Sequence, residues 1–235
     1  MESRDEQSLI QNYAPSADAV ELLERAHIVL FCGITGAGKD RVQDELSKTD
    51  RFARIITSTT RTPRENDGVM EQDGREYYFF TRDQALRKIA NEEYFEVALV
   101  HGQINGATVQ EIQRIHDAGK TAIGDVDYQG VQYYKKHSPS TLAIFLIPPS
   151  FEVWMERLKR RYDTDTDFLA AWPKRRESAI RELEWALSTD LCRIVMNDDL
   201  AETVRSVTQI IDGDTTSTGG RPQAEAILER LRDSA

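Results

Sequence analysis

The stretch His27-Ile28-Val29-Leu30-Phe31-Cys32-Gly33-Ile34-Thr35-Gly36-Ala37-Gly38-Lys39 decides how this chain folds. Ile28 to Cys32 is a short apolar run closed by glycine, which favours a strand covered on both faces in a parallel sheet. Gly33 to Lys39 then reads GxxxxGK, and a helical pattern carrying Val42 and Leu46 follows over residues 40–48. Glycines allow the backbone to curl so that successive N–H groups and a helix N-terminus converge on one anion, while a lysine adds a mobile charge for the β and γ phosphates. The competing reading is an ordinary glycine-rich turn between strand and helix. The strand before and the helix after favour a phosphate loop, with Gly33, Thr35, Gly36, Ala37, Gly38 and Lys39 as nucleotide-binding candidates. Asp40 departs from the pattern, which normally continues with a Ser or Thr hydroxyl on Mg²⁺. Its carboxylate is a hard-oxygen ligand that suits Mg²⁺. The alternative is a carboxylate that only caps the helix while Mg²⁺ is held elsewhere. A nucleotide site that has lost its function is the third reading.

Outward from this stretch the chain alternates. Strand-like runs recur at residues 53–58, 121–126, 142–147 and 192–196, separated by helical periodicity at 108–118 and 151–162. Strands alternating with helices specify an α/β fold with a largely parallel sheet flanked by helices. Residues 59–107 interrupt the rhythm with short strand-like pieces and polar turns, and read as a small α+β insertion. Residues 160–176 are dense in charge and suit a mobile lid. Residues 1–26 form an N-terminal extension, loose to about residue 15 and then one short helix that Ser16 can cap. Residues 27–212 form the main domain, and residues 213–235 a linker and one short terminal helix.

Composition narrows the function classes. The 235 residues carry 30 Lys+Arg against 40 Asp+Glu, a formal net charge of −10. Binding to a nucleic-acid polymer rests on clustered Lys and Arg, so no such polymer is expected as a partner, and any anionic ligand must be held by local basic residues. The longest apolar runs fall short of the roughly 20 residues a membrane helix needs. The N-terminal MESRDEQSLIQNY has no basic and apolar regions of a signal peptide, so a cytoplasmic protein without a membrane partner is expected. Cys32 and Cys192 sit in separate apolar runs and read as buried free thiols. His27, His101, His116 and His137 are scattered and read as structural or surface residues.

Further blocks extend the reading: T-S-T-T-R-T-P-R (Thr57–Arg64), E-Y-Y-F-F (Glu76–Phe80), Y-F-E (Tyr94–Glu96), D-V-D-Y-Q-G (Asp125–Gly130), R-L-K-R-R (Arg157–Arg161) and M-N-D-D (Met196–Asp199). In this order behind a phosphate loop, they resemble the guanylate kinase family of P-loop nucleoside monophosphate kinases, from about Ile28 to Ile211. The segment before Tyr77, ENDGVMEQDG, is longer than the family norm. The resemblance implies a P-loop NTPase-type sheet, an acceptor-binding insertion, a helical lid, and transfer of phosphate from ATP, with Mg²⁺, to GMP or dGMP.

Arg61 and Arg64, three residues apart beside Pro63, suit a clamp on phosphate because the guanidinium fork is rigid. The resemblance implies that this pair grips the acceptor phosphate with Tyr77, and puts Thr57 on the same side. Glu96 and Asp127 match the carboxylates that accept from the guanine N1–H and 2-amino group. Asp125 ends a strand where P-loop enzymes place a carboxylate near Mg²⁺. Arg157, Arg161 and Arg175 match the lid arginines over ATP and the transferring group, with Arg176 as the alternative to Arg175, and Asn197 matches a residue near adenine.

Two departures fall in the acceptor site, where Asn105 replaces a phosphate-holding tyrosine and Ala107 replaces a hydroxyl that bonds guanine; Thr108 is a candidate substitute for that hydroxyl. A related kinase with another acceptor, a different nucleoside monophosphate or a ribose phosphate, also fits Gly-Lys-Asp, but Arg61, Arg64, Glu96 and Asp127 count against it. The intact Gly33, Gly38 and Lys39 count against a non-catalytic guanylate-kinase-like binding module.

Overall fold

The computed structural model describes residues 2–66, 68–100, 102–214 and 219–233; His101 and part of the predicted linker, residues 215–218, lie outside them. The chain opens with α1 (Glu2–Gln11) and α2 (Ala17–Arg25), then β1 (Ile28–Cys32), the glycine loop and α3 (Lys39–Ser47). Short strands follow: β2 (Phe52–Arg54), β3 (Ser58–Thr59), β4 (Glu65–Asn66), β5 (Val69–Met70) and β6 (Tyr78–Phe79). After α4 (Arg82–Ala90) come β7 (Tyr94–Val100) and β8 (Gln103–Thr108). The remainder alternates: α5 (Val109–Asp117), β9 (Thr121–Asp125), α6 (Tyr128–His137), β10 (Leu142–Ile147), α7 (Phe151–Lys159), α8 (Asp165–Ser188), β11 (Arg193–Met196), α9 (Leu200–Ile211) and α10 (Arg221–Asp233).

The chain divides into two compact units, Met1–His27 with Ala53–Ala122, and Ile28–Phe52 with Ile123–Ala235. The second carries the nucleotide-type core. Within it β11, β10 and β1 lie side by side in that order, all parallel. Every residue of β1 is buried, as are Ala143 to Ile147 of β10, so the continuous apolar runs reflect a sheet covered on both faces. Side-chain oxygens start the covering helices: Asp127 caps α6, Ser150 caps α7 and Asp199 caps α9, each accepting a backbone N–H three residues on. Cys32 and Cys192 are buried and unbridged.

The charged stretch 160–176 is mostly helix. Thr164 caps α8, which continues to Ser188 with Pro173 inside it. Phe168 and Trp172 anchor its first turns, 5.8 Å apart, and Trp172 lies 5.9 Å from Trp154 of α7. Helix α10 packs on α8, α7 and β11, burying Ala224, Ile227, Leu228 and Leu231. The two helices cap each other. Arg176 on α8 donates to the Leu231 and Arg232 carbonyls at 2.8 and 3.2 Å, and Arg221 donates to the Leu187 carbonyl at 2.7 Å. The predicted terminal helix is therefore part of its own unit.

The first unit holds a mixed sheet, β6-β3-β8-β7, and the hairpin β4-β5. The predicted α+β insertion has this sheet as its frame, and α4 opens with a capping box between Thr81 and Gln84. The N-terminal residues depart from the loose leader expected of them. Helix α1 forms although its apolar side is narrow, because Ile10 is buried beside Ala85, Ile89, Tyr94 and Ile104. Glu6 pairs with Arg82. Beyond the helix, the Tyr13 hydroxyl donates to the Tyr94 carbonyl and accepts the Tyr94 N–H at 3.1 Å, so both polar groups of one β7 residue are satisfied. Ser16 caps α2 as the sequence predicts, and Ala19, Leu22 and Leu23 are its buried side.

Burial pushes the Tyr13 hydroxyl from 10.0 up to about 12. The folded state therefore holds this proton more tightly than the unfolded chain. The resulting stability is complete below pH 10 and is lost as pH rises towards 12. Tyr13→Phe should lower stability at pH 7 by about 1 kcal/mol, the worth of its hydrogen bonding. It should also make the fall in urea midpoint between pH 10 and 12 shallower; equal slopes in the two proteins would refute the role given to Tyr13.

Candidate active site

In the nucleotide-type unit, β1 leads into a loop whose glycines adopt conformations closed to other residues. Gly33 has φ +132°, and a Cβ there would lie 2.3 Å from the Leu146 carbonyl oxygen of β10. Gly38 has φ +89° and is the N-cap of α3; a Cβ would come 2.4 Å from the Asn197 amide nitrogen. Asn197, at the end of β11, is buried and donates to the Ala37 carbonyl at 2.7 Å, while its oxygen accepts from Thr203 at 3.1 Å. Its side chain thus holds the loop from the side. Trp154 holds the loop from α7, donating to the Thr35 carbonyl at 2.7 Å.

A cavity of about 450 Å³ opens beside this loop, lined by Thr35, Gly36, Gly38, Lys39, Asp40, Asp125, Arg157, Arg161 and Asn197. Lys39, in the first turn of α3, donates from Nζ to the Gly33 carbonyl at 2.7 Å and stands 3.9 Å from Asp125. Asp40 is exposed in the same first turn, where the helix N-terminus favours a negative charge. Arg157 donates to the Asn197 carbonyl at 2.9 Å. Arg175 reaches Thr35 Oγ1 at 3.4 Å and Tyr162 at 2.9 Å, whereas Arg176 faces α10. The sequence left these two arginines as alternatives; α8 turns them apart and directs only Arg175 to the loop. Arg41 and Arg160 also line the cavity, and the sequence reading passed over both. Glu182 of α8 was likewise missed; burial raises its carboxyl, and Ser178 donates to it at 2.8 Å.

The acceptor-type residues, Asp127 excepted, belong to the other unit. Strand β3 and the loop after it carry Arg61, whose guanidinium lies 4.8 Å over the Tyr77 ring and forms a two-pronged ion pair with Glu71. Arg64 is exposed. The Thr57 carbonyl accepts the Tyr78 N–H at 2.9 Å, which ties the start of this block to β6. On β7, a register shift between Tyr94 and Glu96 brings Glu96 opposite Ala107 of β8. Asn105 stands two residues before Ala107, on the same face of β8 by strand alternation. The Asn105 amide donates to the Gln103 carbonyl at 3.1 Å. Ala107 is fully buried. Thr108, considered as a substitute hydroxyl, is buried as the N-cap of α5, with its oxygen accepting the Glu111 N–H at 3.3 Å; helix capping claims that oxygen. Asp127 lies in the nucleotide-type unit and accepts the Gly130 N–H at 2.8 Å.

Glu111 is the buried carboxylate that the sequence reading missed here. It accepts the Ile56 N–H at 3.0 Å, the Tyr78 hydroxyl at 3.1 Å and two N–H groups of Arg114 at 2.8 Å. Its only sequence signal is its place three residues after a capping threonine, the position of a capping box acid.

Among the described residues, no helix is long and apolar enough to cross a membrane, and no cluster of three metal-ligating side chains occurs. The guanylate kinase family model matches residues 25–214. A guanylate kinase of Thermotoga maritima is 32% identical over 189 residues, covering 80% of this chain and 86% of its own. One from Clostridium tetani is 29% identical and covers 90% and 93%. The crystal structure of guanylate kinase from Anaplasma phagocytophilum superposes with a TM-score of 0.56 at 22% identity, covering 91% of this chain and 97% of that one, which shows the fold. The phosphate loop, the parallel sheet and the match across most of its length place this chain in the guanylate kinase family.

Proposed function

We infer that this protein transfers the γ-phosphoryl group of ATP to GMP or dGMP, giving ADP and GDP or dGDP, in the cytosol. The observation that carries the reading is the cavity on the glycine loop, where Lys39, Arg157 and Arg161 surround the N-terminus of α3. Phosphoryl transfer needs positioned positive charge more than a covalent partner, and that is what these side chains offer. Lys39 uses one of its three donors on Gly33 and keeps the others for phosphate oxygens. Arg157 and Arg161 neutralise charge on the transferring group, and Arg175 approaches from α8. Asn197 acts by holding the loop that receives ATP.

Asp40 and Asp125 fit Mg²⁺, because this ion is commonly held by one or two carboxylates with phosphate oxygens and water completing its shell. When bound, Mg²⁺ neutralises the β and γ phosphate oxygens. On the acceptor side, Arg61, Arg64 and Tyr77 grip the monophosphate, with Thr57 beside them. Glu96 and Asp127 accept from the guanine N1–H and 2-amino group; adenine has neither donor and is disfavoured. Asn105 and Ala107 weaken this site by removing a phenol and a hydroxyl. The lost neutral bond to guanine costs about 0.5–1.5 kcal/mol, roughly three- to tenfold in affinity, and the lost bond to the charged phosphate about 1.5–3 kcal/mol.

A coupled assay of ADP release with GMP, dGMP and AMP tests the activity: turnover with a guanine nucleotide and little with AMP is expected, and none with GMP at millimolar levels would overturn the reading. Asn105→Tyr with Ala107→Ser should raise kcat/KM for GMP several-fold, and an unchanged value would show that the departures do not limit the site. The two adjacent arginines give a further contrast. Arg175→Ala should lower kcat at least tenfold with little loss of stability. Arg176→Ala should cost about 1–3 kcal/mol of stability, through the unpaired carbonyls of α10, and leave kcat within a few-fold. Chemical denaturation beside steady-state kinetics separates these outcomes.

A further inference from the structure

We propose that Glu71 is a positioning residue for the acceptor phosphate, holding the Arg61 guanidinium so that one edge of it stays open to an oxyanion. The proposal rests on Arg61 being an acceptor-phosphate residue, as read above. Glu71 lies in the longer segment before Tyr77, and none of the sequence motifs singles it out.

The contacts are specific. Glu71 Oε1 accepts from Arg61 Nη2 at 2.7 Å, and Oε2 accepts from Nη1. The other Nη1–H goes to the Thr62 carbonyl at 3.0 Å. A guanidinium has five N–H donors. These bonds take both donors of Nη1 and one of Nη2. None of these bonds uses Nε–H or the second Nη2–H, and the Tyr77 side chain, a member of the same phosphate grip, stands beside the guanidinium. These two N–H groups lie side by side on one edge of the plane, the arrangement that bonds two oxygens of a phosphate at once. The ring of Tyr77 at 4.8 Å and that of Phe79 at 5.7 Å fix the plane itself. Glu71 also sets the neighbouring backbone: Oε2 accepts the Arg64 N–H at 2.9 Å, and the Glu71 N–H donates to the Arg64 carbonyl at 2.9 Å. One side chain therefore fixes both ends of the Arg61–Arg64 loop.

Charge alone argues against placing an acid here. A carboxylate beside a phosphate site opposes anion binding, and the Arg61–Glu71 pair sums to zero. A buried ion pair is also a poor source of stability, because desolvation offsets the attraction. The pair is nonetheless nearly closed to solvent, with side-chain exposures of 16% for Arg61 and 6% for Glu71. Holding the guanidinium in one direction is the effect that this geometry produces. The pairing also raises the Arg61 pKa, so the group stays charged.

The sign of one substitution separates positioning from repulsion. Glu71→Gln in the full chain removes the charge and keeps the shape. With positioning, the KM and Kd for GMP should rise roughly 10- to 100-fold, the worth of bonds to a charged group, with KM for MgATP unchanged. Binding of guanosine, which has no phosphate, should stay the same. In the Arg61→Ala background, Glu71→Gln should weaken GMP much less than it does in the native chain, leaving only its smaller effect through Arg64. An unchanged or lowered KM for GMP overturns the proposal, as does equal weakening of GMP and guanosine. Arg61→Ala separates the two levels. If it leaves GMP affinity intact, the reading of Arg61 fails and the proposal with it; if it weakens GMP while Glu71→Gln does not, only the proposal fails.

Discussion

The nucleotide-type unit depends on a steric constraint at the end of β1. Gly33 passes so close to the Leu146 carbonyl of β10 that no side chain fits, and Gly38 passes equally close to Asn197. With the strand packed on β10 and the loop pinned by Asn197 and Trp154, the chain has to enter α3 at this point. Lys39 then emerges in the first turn, beside a helix N-terminus that favours anions. The loop is thus a consequence of sheet packing. Its local sequence permits the curl, and the ends of β10 and β11 enforce it.

The other unit positions its residues by different means. Two poorly exposed carboxylates, Glu71 and Glu111, each accept several donors from separate segments, and so tie those segments together. A register shift in β7 sets Glu96 against Ala107. Bulges of this kind re-aim a side chain that a regular ladder would direct elsewhere. The N-terminal residues join the same arrangement, since Tyr13 bonds both backbone polar groups of Tyr94, two residues before Glu96. Each device is polar and partly or wholly buried, so loss of one member leaves its partners unsatisfied.

A net charge of −10 does not oppose the proposed nucleotide site, because attraction is local. Lys39, Arg157 and Arg161 line one cavity, and Arg41 and Arg160 add to it. The acids are mostly spread over the surface. Screening within about 8 Å at physiological ionic strength limits their opposition to that cluster.

The α/β class, the buried strands and the phosphate loop were legible in the sequence, because each depends on neighbours a few residues apart: apolar runs, glycine spacing and capping side chains. Residues inside short motifs could be singled out from the sequence as candidates, as with Lys39 and Arg157, which line the cavity, and Arg61. Glu71, Glu111 and Arg41 were not, since an isolated acid or base has no local signature until distant backbone donors or a cavity surround it. Helix α1 escaped for the same reason: one buried isoleucine and one tyrosine do not make a period. Arg175 and Arg176 are equal in sequence, and the rotation of α8 against α10 separates them. By itself the sequence determined the core strands, the glycine loop and most of the helices, because apolar runs, glycine spacing and caps are local. Only the tertiary structure decided which face of each element meets which partner, because burial and hydrogen bonding between distant segments exist only once the chain has packed.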